Sequence, residues 1–224
     1  PRFVRLRMVY VTVTLSVIGL AVGGWSTIEA GDWLPLAISG FVGLAIGDAA
    51  LFESFSRVGP RRTGILFTAS APFAAVLSAI IFSERFGWLG VLGTVLVVTG
   101  VSLAIAYGTR PGQSHTWEEV RGSLWVGVAF GLLGALGQAV AVLVADPVFD
   151  GTLDPWAGAA VRAVVGTAGL FVLRPWFERR NGERVPVVFT IRLWILVLAS
   201  GTLGMVLGKT LMLIALAEGP PGLV

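Results

Sequence analysis

Long apolar stretches constrain the fold of this chain more than any other feature of its sequence. A transmembrane helix needs about 20 mostly apolar residues to cross the hydrocarbon core of a bilayer. Stretches of about this length lie at residues 8–24, 34–56, 63–83, 87–107, 122–145, 155–175 and 190–217. They are continuous and rich in Gly and Ala, whereas a transmembrane β-barrel has short segments of alternating polarity. The sequence therefore predicts an all-α, polytopic bundle with seven transmembrane spans.

The charge balance excludes several classes of protein. Only 13% of the residues are charged and 55% are hydrophobic, which is too little polar surface for a soluble domain of this length. The net charge is +3, but the basic residues lie in short connections beside the spans, so we predict no nucleic-acid partner. The chain has no Cys and a single His, His115, so we predict neither a metal site nor a cofactor.

The basic residues occur in alternate connections, which indicates an orientation. Thirteen of the sixteen Lys and Arg residues fall before the first span or in the connections at 57–62, 108–121 and 174–192. The intervening connections are mainly acidic. By the positive-inside rule, the arginine-rich connections are predicted to be cytoplasmic. We expect a multi-pass protein of the cell membrane, such as a prokaryotic inner membrane, with the lipid bilayer as a partner.

An internal repeat joins the second and seventh spans. At an offset of 161 residues, without gaps, Ser39, Gly40, Gly43, Gly47 and Pro60 align with Ser200, Gly201, Gly204, Gly208 and Pro221. Three arginines follow the second span and Glu218 follows the seventh, so the two copies are predicted to cross in opposite directions. A weaker repeat, at an offset of 155, pairs the first and sixth spans by aligning Arg7, Val9, Thr12 and Leu15 with Arg162, Val164, Thr167 and Leu170.

These offsets predict how the chain is organised. The fifth span has no copy before the first, and the third and fourth spans have none after the seventh. We therefore predict two inverted five-helix repeats: residues 1–107 without their first span, and residues 122–224 without their last two, joined by a cytoplasmic linker at 108–121. Inverted repeats are a common plan of secondary transporters. A fragment with seven of the ten helices is not expected to transport a substrate by itself.

The residues of both copies also resemble a known family. The resemblance is carried by Gly43, Gly47, Asp48, Leu51, Phe52, Gly59-Pro60-Arg61, Pro72, Ser83-Glu84-Arg85, Gly93, Gly100-Val101, Gly134, Gln138, Ala139 and Arg162. In order and spacing they resemble the drug/metabolite transporter superfamily, in particular its ten-span EamA-type members. The resemblance implies two five-helix halves around a cavity that exports a small metabolite or amphipathic compound by alternating access. A homo-oligomer is compatible with it.

Four polar residues inside the predicted spans are the candidate substrate-binding residues: Asp48, Gln138, Arg162 and Lys209. Asp48 and Lys209 share one repeat position near mid-membrane, where an isolated charge costs at least about 2.5 kcal/mol. We predict that they form the polar centre of the site; the alternative is a permanent ion bridge between the halves. Gln138 needs a partner across a helix interface or in a wet cavity. Arg162, about 10 Å into its span, is predicted to anchor at the outer interface or to gate.

Three local predictions follow from spacing. Glu53 lies four residues before Arg57, which favours an ion pair on one helix face. Pro72 within the third span predicts a kink, because its ring crowds the preceding turn. The repeated glycines predict close helix contacts along one face of spans two and seven.

Two other classes of function stay open from the sequence alone. A seven-span photoreceptor could carry a retinal Schiff base on Lys209, with Asp48 as its counter-ion. A non-transporting membrane scaffold could use the glycine-packed bundle, although the mid-membrane charges would then have no purpose. An enzyme is not predicted, because the spans contain no GxSxG, HExxH or paired-aspartate motif.

Overall fold

A computed structural model of the chain describes residues 2–82, 87–107, 122–149, 151–173 and 190–218, which are helical apart from short connections. The all-α prediction is confirmed. The predicted linker at 108–121, with His115, and the motif Ser83-Glu84-Arg85 lie outside the described residues.

The described helices follow the predicted spans. In chain order they are α1 (Arg2–Ala21), a 3₁₀ turn (Gly24–Thr27), α2 (Trp33–Gly40), a π-helical segment (Phe41–Gly47), α3 (Asp48–Phe67), α4 (Ser70–Ile81), α5 (Trp88–Tyr107), α6 (Leu124–Phe149), α7 (Pro155–Val172), α8 (Ile191–Ser200), a second π-helical segment (Gly201–Leu207) and α9 (Gly208–Glu218).

Several of these helices are long and apolar enough to cross a membrane. Among the described residues, four stretches meet that requirement: Trp33–Phe67, Leu124–Phe149, Pro155–Val172 and Trp194–Ala215. Ser70–Ile81 and Trp88–Ala104 are shorter apolar helices. The chain is therefore a polytopic membrane protein.

The second and third predicted spans meet at a sharp break. The sequence predicts a connection at 57–62, but α3 continues through these residues and is broken only at Gly59, with φ 82° and ψ 165°. This backbone conformation is open to glycine at little cost. Pro60 then begins the next helical segment, where its missing N–H would be unpaired in any case. The third span thus begins at Pro60 and not at residue 63.

Two of the local predictions are confirmed in this part of the chain. The Arg57 guanidinium lies 2.7 Å from the Glu53 carboxylate and 5.6 Å from the centre of the Phe130 ring. The predicted kink lies at Thr68, between α3 and α4. Thr68 is four residues before Pro72, the position whose carbonyl a proline ring crowds.

The described chain packs as two compact units. The first comprises Pro1–Ala45 and Val144–Glu218, and the second comprises Ile46–Leu143. Both predicted repeats contribute residues to the first unit, so the compact units and the repeats divide the chain differently. The boundaries of the repeats stay a prediction.

Helices α1 and α7 run antiparallel in the first unit. The Thr12 and Thr167 hydroxyl oxygens lie 2.8 Å apart. The Thr12 hydroxyl oxygen also lies 3.1 Å from the Ala163 carbonyl oxygen, and the Thr167 hydroxyl oxygen lies 3.4 Å from the Met8 carbonyl oxygen. Residue numbers rise along one helix as they fall along the other, so the first and sixth spans cross in opposite directions.

This contact is symmetric under the repeat. Thr12 and Thr167 are 155 residues apart, which is the offset of the weaker repeat, and so are Met8 and Ala163. A residue that contacts its own repeat equivalent lies at the axis relating the two copies. Within the first unit, α1 and α7 are thus antiparallel, and that they are inverted copies of one repeat stays a prediction.

Glycines bring neighbouring helices of the first unit into close contact. A Cβ atom on Gly40 in α2 would lie 2.5 Å from the Arg162 carbonyl oxygen on α7. A Cβ atom on Gly201, the repeat equivalent of Gly40, would lie 2.8 Å from the Tyr10 ring on α1. The predicted glycine contacts are confirmed at these two positions, whereas Gly204 would meet no atom within 4 Å.

The second unit has its own apolar core, built from α3, α5 and α6. Val58, Leu66, Val101 and Val128 form a buried cluster. Glycines again permit close approach, since a Cβ atom on Gly131 of α6 would lie 2.7 Å from the Leu66 side chain.

Candidate functional site

A small cavity of about 20 Å³ lies inside the first unit, with room for one or two water-sized groups. Two pairs of repeat-equivalent residues line it: Met8 with Ala163, and Leu44 with Met205. The first pair is 155 residues apart and the second is 161 residues apart, which are the two repeat offsets. A cavity lined by equivalent residues of both copies lies on or beside the axis between them. In inverted-repeat transporters, substrate sites lie at such an interface.

Arg162 lines this cavity and is 4% exposed. Its Nε atom is buried and has no hydrogen-bond partner within the described part of the chain. Helix α7 ends at Val172, so Arg162 is about 10 Å from its start and about 15 Å from its end, close to the middle. An anchoring role would need the guanidinium at the membrane surface. Its burial among helices instead favours a role at the cavity.

Lys209 lines the same cavity from α9. Its side chain is partly buried. The structure therefore brings together two of the four predicted site residues, Arg162 and Lys209, on different helices of one unit. None of the residues that line the cavity is acidic.

Asp48 and Gln138 belong to the second unit, where both are buried, at 5% and 4% exposure. In that unit α6 runs antiparallel to α3, and a Cβ atom on Gly134 would lie 3.1 Å from the Gly47 carbonyl oxygen. Gln138 is one turn further along the same face of α6. This register places Gln138 and Asp48 within about one helical turn of each other along the helix axes.

Both copies of the stronger repeat contain a π-helical segment directly before a charged residue. Subtracting the offset of 161 from Gly201–Leu207 gives residues 40–46, one residue out of register with Phe41–Gly47. Asp48 follows the first segment immediately, and Lys209 is the second residue after the other. π-helical turns are rare and often occur at functional sites. Because a π turn is wider than an α turn, the predicted glycine face does not run continuously through either segment.

Sequence reasoning missed several residues of this site. Nothing in the apolar pattern distinguishes Met8, Leu44 or Met205 from other buried residues. The weaker repeat does pair Thr12 with Thr167, but as a resemblance between two spans and not as a contact. Only the packing of α1 against α7 shows that these two hydroxyls meet.

Comparisons with known proteins agree with this architecture. Residues 1–106 match the EamA-like transporter family. The match covers slightly less than half of the chain. The match confirms the resemblance inferred from the residues, because EamA-like proteins are membrane transporters of the drug/metabolite superfamily.

One relative gives a more specific comparison. A protein of Candida albicans (strain SC5314 / ATCC MYA-2876), described as a probable magnesium transporter, is 29% identical over 102 residues, which is 45% of this chain. The chain covers 28% of that relative, so most of the relative has no counterpart here. No solved structure matches the chain.

Proposed function

We propose that this chain forms the core of a secondary membrane transporter that exports a small metabolite or amphipathic compound by alternating access between inverted repeats. The observation that carries the proposal is the cavity in the first unit, which equivalent residues of both copies line. An axis in the membrane plane exchanges the two sides of the bilayer. A cavity on that axis opens to either side when one copy rocks against the other.

The charged residues of the spans support a transport role over a scaffold role. Asp48 and Arg162 are buried in helices long enough to cross the membrane, and Lys209 lines the cavity. Buried charges are costly in a bilayer and mark substrate or proton pathways. In a passive scaffold, these buried charges would have no role. Asp48 and Lys209 share one repeat position, and it stays a prediction that they form the polar centre of the substrate site.

Double substitution tests that relation in the complete protein, reconstituted in liposomes and screened for transport of a metabolite panel. Asp48→Asn and Lys209→Met are each expected to abolish transport and to lower stability by about 3–5 kcal/mol, because each leaves a buried charge unmatched. If the two charges form the site, the double variant regains stability but not transport. If they form only an ion bridge, it regains both.

The controls make this experiment decisive. Arg57→Gln removes a basic residue whose ion pair with Glu53 lies outside the cavity, and it is expected to keep transport. Full transport in either single variant at position 48 or 209 would contradict the proposed role of both residues. A visible absorption band after retinal addition would instead support the photoreceptor alternative.

Magnesium is the cargo that the name of the Candida relative suggests, but the residues here favour it less. Mg²⁺ binds through carboxylate oxygens and retained water. Two basic side chains and no acidic one line the cavity, and the described residues contain no cluster of three acidic or His side chains that could hold a metal ion. Magnesium uptake by the reconstituted protein, measured with a fluorescent indicator, decides between the two cargoes.

A further inference from the structure

The structure assigns a substrate class to the cavity: we infer that Arg162 and Lys209 bind the carboxylate group of an organic anion. This inference rests on the proposed transport function and deepens it. The two basic residues come from α7 and α9, so they approach the cavity from different helices.

The charge around the cavity favours an anion. Arg162 is 4% exposed, and its Nε–H points to no acceptor among the described residues. An unsatisfied donor on a buried charged group is costly, so a ligand that accepts this hydrogen bond recovers part of that cost. Arginine presents its N–H donors in a planar fork that matches a carboxylate. Lys209 adds a second positive charge to the same space.

The size of the cavity favours a carboxylate over a phosphate group. A volume of about 20 Å³ holds one or two water-sized groups, which suits two carboxylate oxygens and is too small for the four oxygens of a phosphate. The remaining lining is apolar and includes Met8, Leu15, Leu44 and Met205. An aliphatic group attached to the carboxylate needs this lining to move aside, and methionine side chains such as Met8 and Met205 adapt readily to different shapes.

Thermal unfolding of the complete protein in detergent tests the inference without measuring transport. The probes are straight-chain carboxylates from acetate to hexanoate, the amides of the same acids, sodium chloride and inorganic phosphate. The carboxylates are expected to raise the unfolding temperature in a saturable way, since a ligand that binds only the folded state stabilises it. The matching amides have the same shape without the charge and are expected to have no effect.

Variants at position 162 identify the binding residue. Arg162→Gln is expected to weaken butyrate binding by about tenfold or more, because a hydrogen bond to a charged group is lost. Arg162→Lys keeps the charge and is expected to restore part of the affinity. Arg57→Gln removes a basic residue outside the cavity and is expected to bind butyrate as the unsubstituted protein does.

The possible outcomes test the carboxylate site and the transport function separately. Equal stabilisation by carboxylates and amides, or by chloride and butyrate, would overturn the carboxylate site even if the variants fail to fold. Unchanged butyrate binding in Arg162→Gln would also overturn it. Selective carboxylate binding without transport in liposomes would leave the carboxylate site standing and reject the transport function. Transport of compounds that lack a carboxylate, without carboxylate binding, would support the transport function and reject the carboxylate site.

Discussion

At the scale of single residues, the contact between Thr12 and Thr167 shows how this molecule satisfies polar groups at its repeat axis. Each hydroxyl carries one proton, so one of them donates to a carbonyl while the other donates to its partner hydroxyl. The two arrangements, with Thr12 donating to Ala163 or Thr167 donating to Met8, are equivalent under the repeat. Either copy can therefore supply the donor to a carbonyl, as the proposed alternating access would require.

Gly40 gives a prediction at the same scale. Its missing side chain lets α2 approach the α7 backbone at Arg162, and backbone cannot rotate away as a side chain can. Gly40→Ala is expected to destabilise the protein by about 1–3 kcal/mol, as overpacking does. Gly93→Ala in α5 is the matched control, because its Cβ atom would meet nothing within 4 Å. The measurement is thermal unfolding in detergent, and equal unfolding temperatures for the two variants would contradict the close contact.

The sequence predicts some residues of the site and not others. Arg162 and Lys209 stand out because charges are rare in apolar spans, whereas Leu44 and Met205 look like any buried apolar residue. The distance of Arg162 from the start of its helix, about 10 Å, is the same in the predicted span and in the helix Pro155–Val172, but this distance does not tell whether the guanidinium is buried. Burial of its head group depends on the packing of other helices, which no local pattern contains.

At the scale of elements, hydrogen bonds of Asp154 define the start of α7. Asp154 caps the helix, because its carboxylate accepts hydrogen bonds from the Trp156 and Ala157 N–H groups at 3.0 Å. Its own N–H donates to the Thr27 hydroxyl at 2.9 Å, which ties the start of α7 to the 3₁₀ turn after α1. Pro155 at the first helical position completes a typical helix start.

Substitution of Asp154 tests this cap. Asp154→Ala is expected to destabilise the protein by about 1 kcal/mol, because two N–H groups at the start of α7 lose their acceptor. Asp154→Asn keeps an acceptor oxygen at the same place and is the matched control, with little expected loss. Thermal unfolding distinguishes the two. A loss as large for Asn as for Ala would show that the charge, and not the cap, stabilises this end of α7.

Other elements were beyond sequence prediction for physical reasons. Span positions depend on hydrophobicity summed over about 20 residues, so every predicted span contains a helix. The two π-helical segments differ from an α-helix in hydrogen-bond pattern and in width, and their sequences are compatible with both. The break at Gly59 also needed the structure, because a Gly-Pro pair is compatible with an open loop as well as with a break between helices.

At the scale of the whole molecule, the repeat relates contacts that are far apart in the sequence. Gly40 packs on α7 and its equivalent, Gly201, packs on α1. Met8 and Leu44 line the cavity from one copy, and Ala163 and Met205 line it from the other. Sequence comparison within the chain was enough to predict that the copies are inverted. It could not predict that they enclose a cavity, because the volume between helices depends on how every side chain packs.

The most direct test of the central claim is the accessibility of the cavity from each side of the membrane. The sequence has no Cys, so a single Leu44→Cys or Met205→Cys substitution gives one reactive site in this stretch of the complete protein. Reaction with a membrane-impermeant thiol reagent is measured on intact cells, which expose the outer face, and on inverted vesicles, which expose the cytoplasmic face. Gly151→Cys, in the exposed connection between α6 and α7, is the control. Alternating access predicts that each cavity position reacts from both sides, and that a bound substrate slows both reactions without affecting the control. Reaction from one side only would contradict the account.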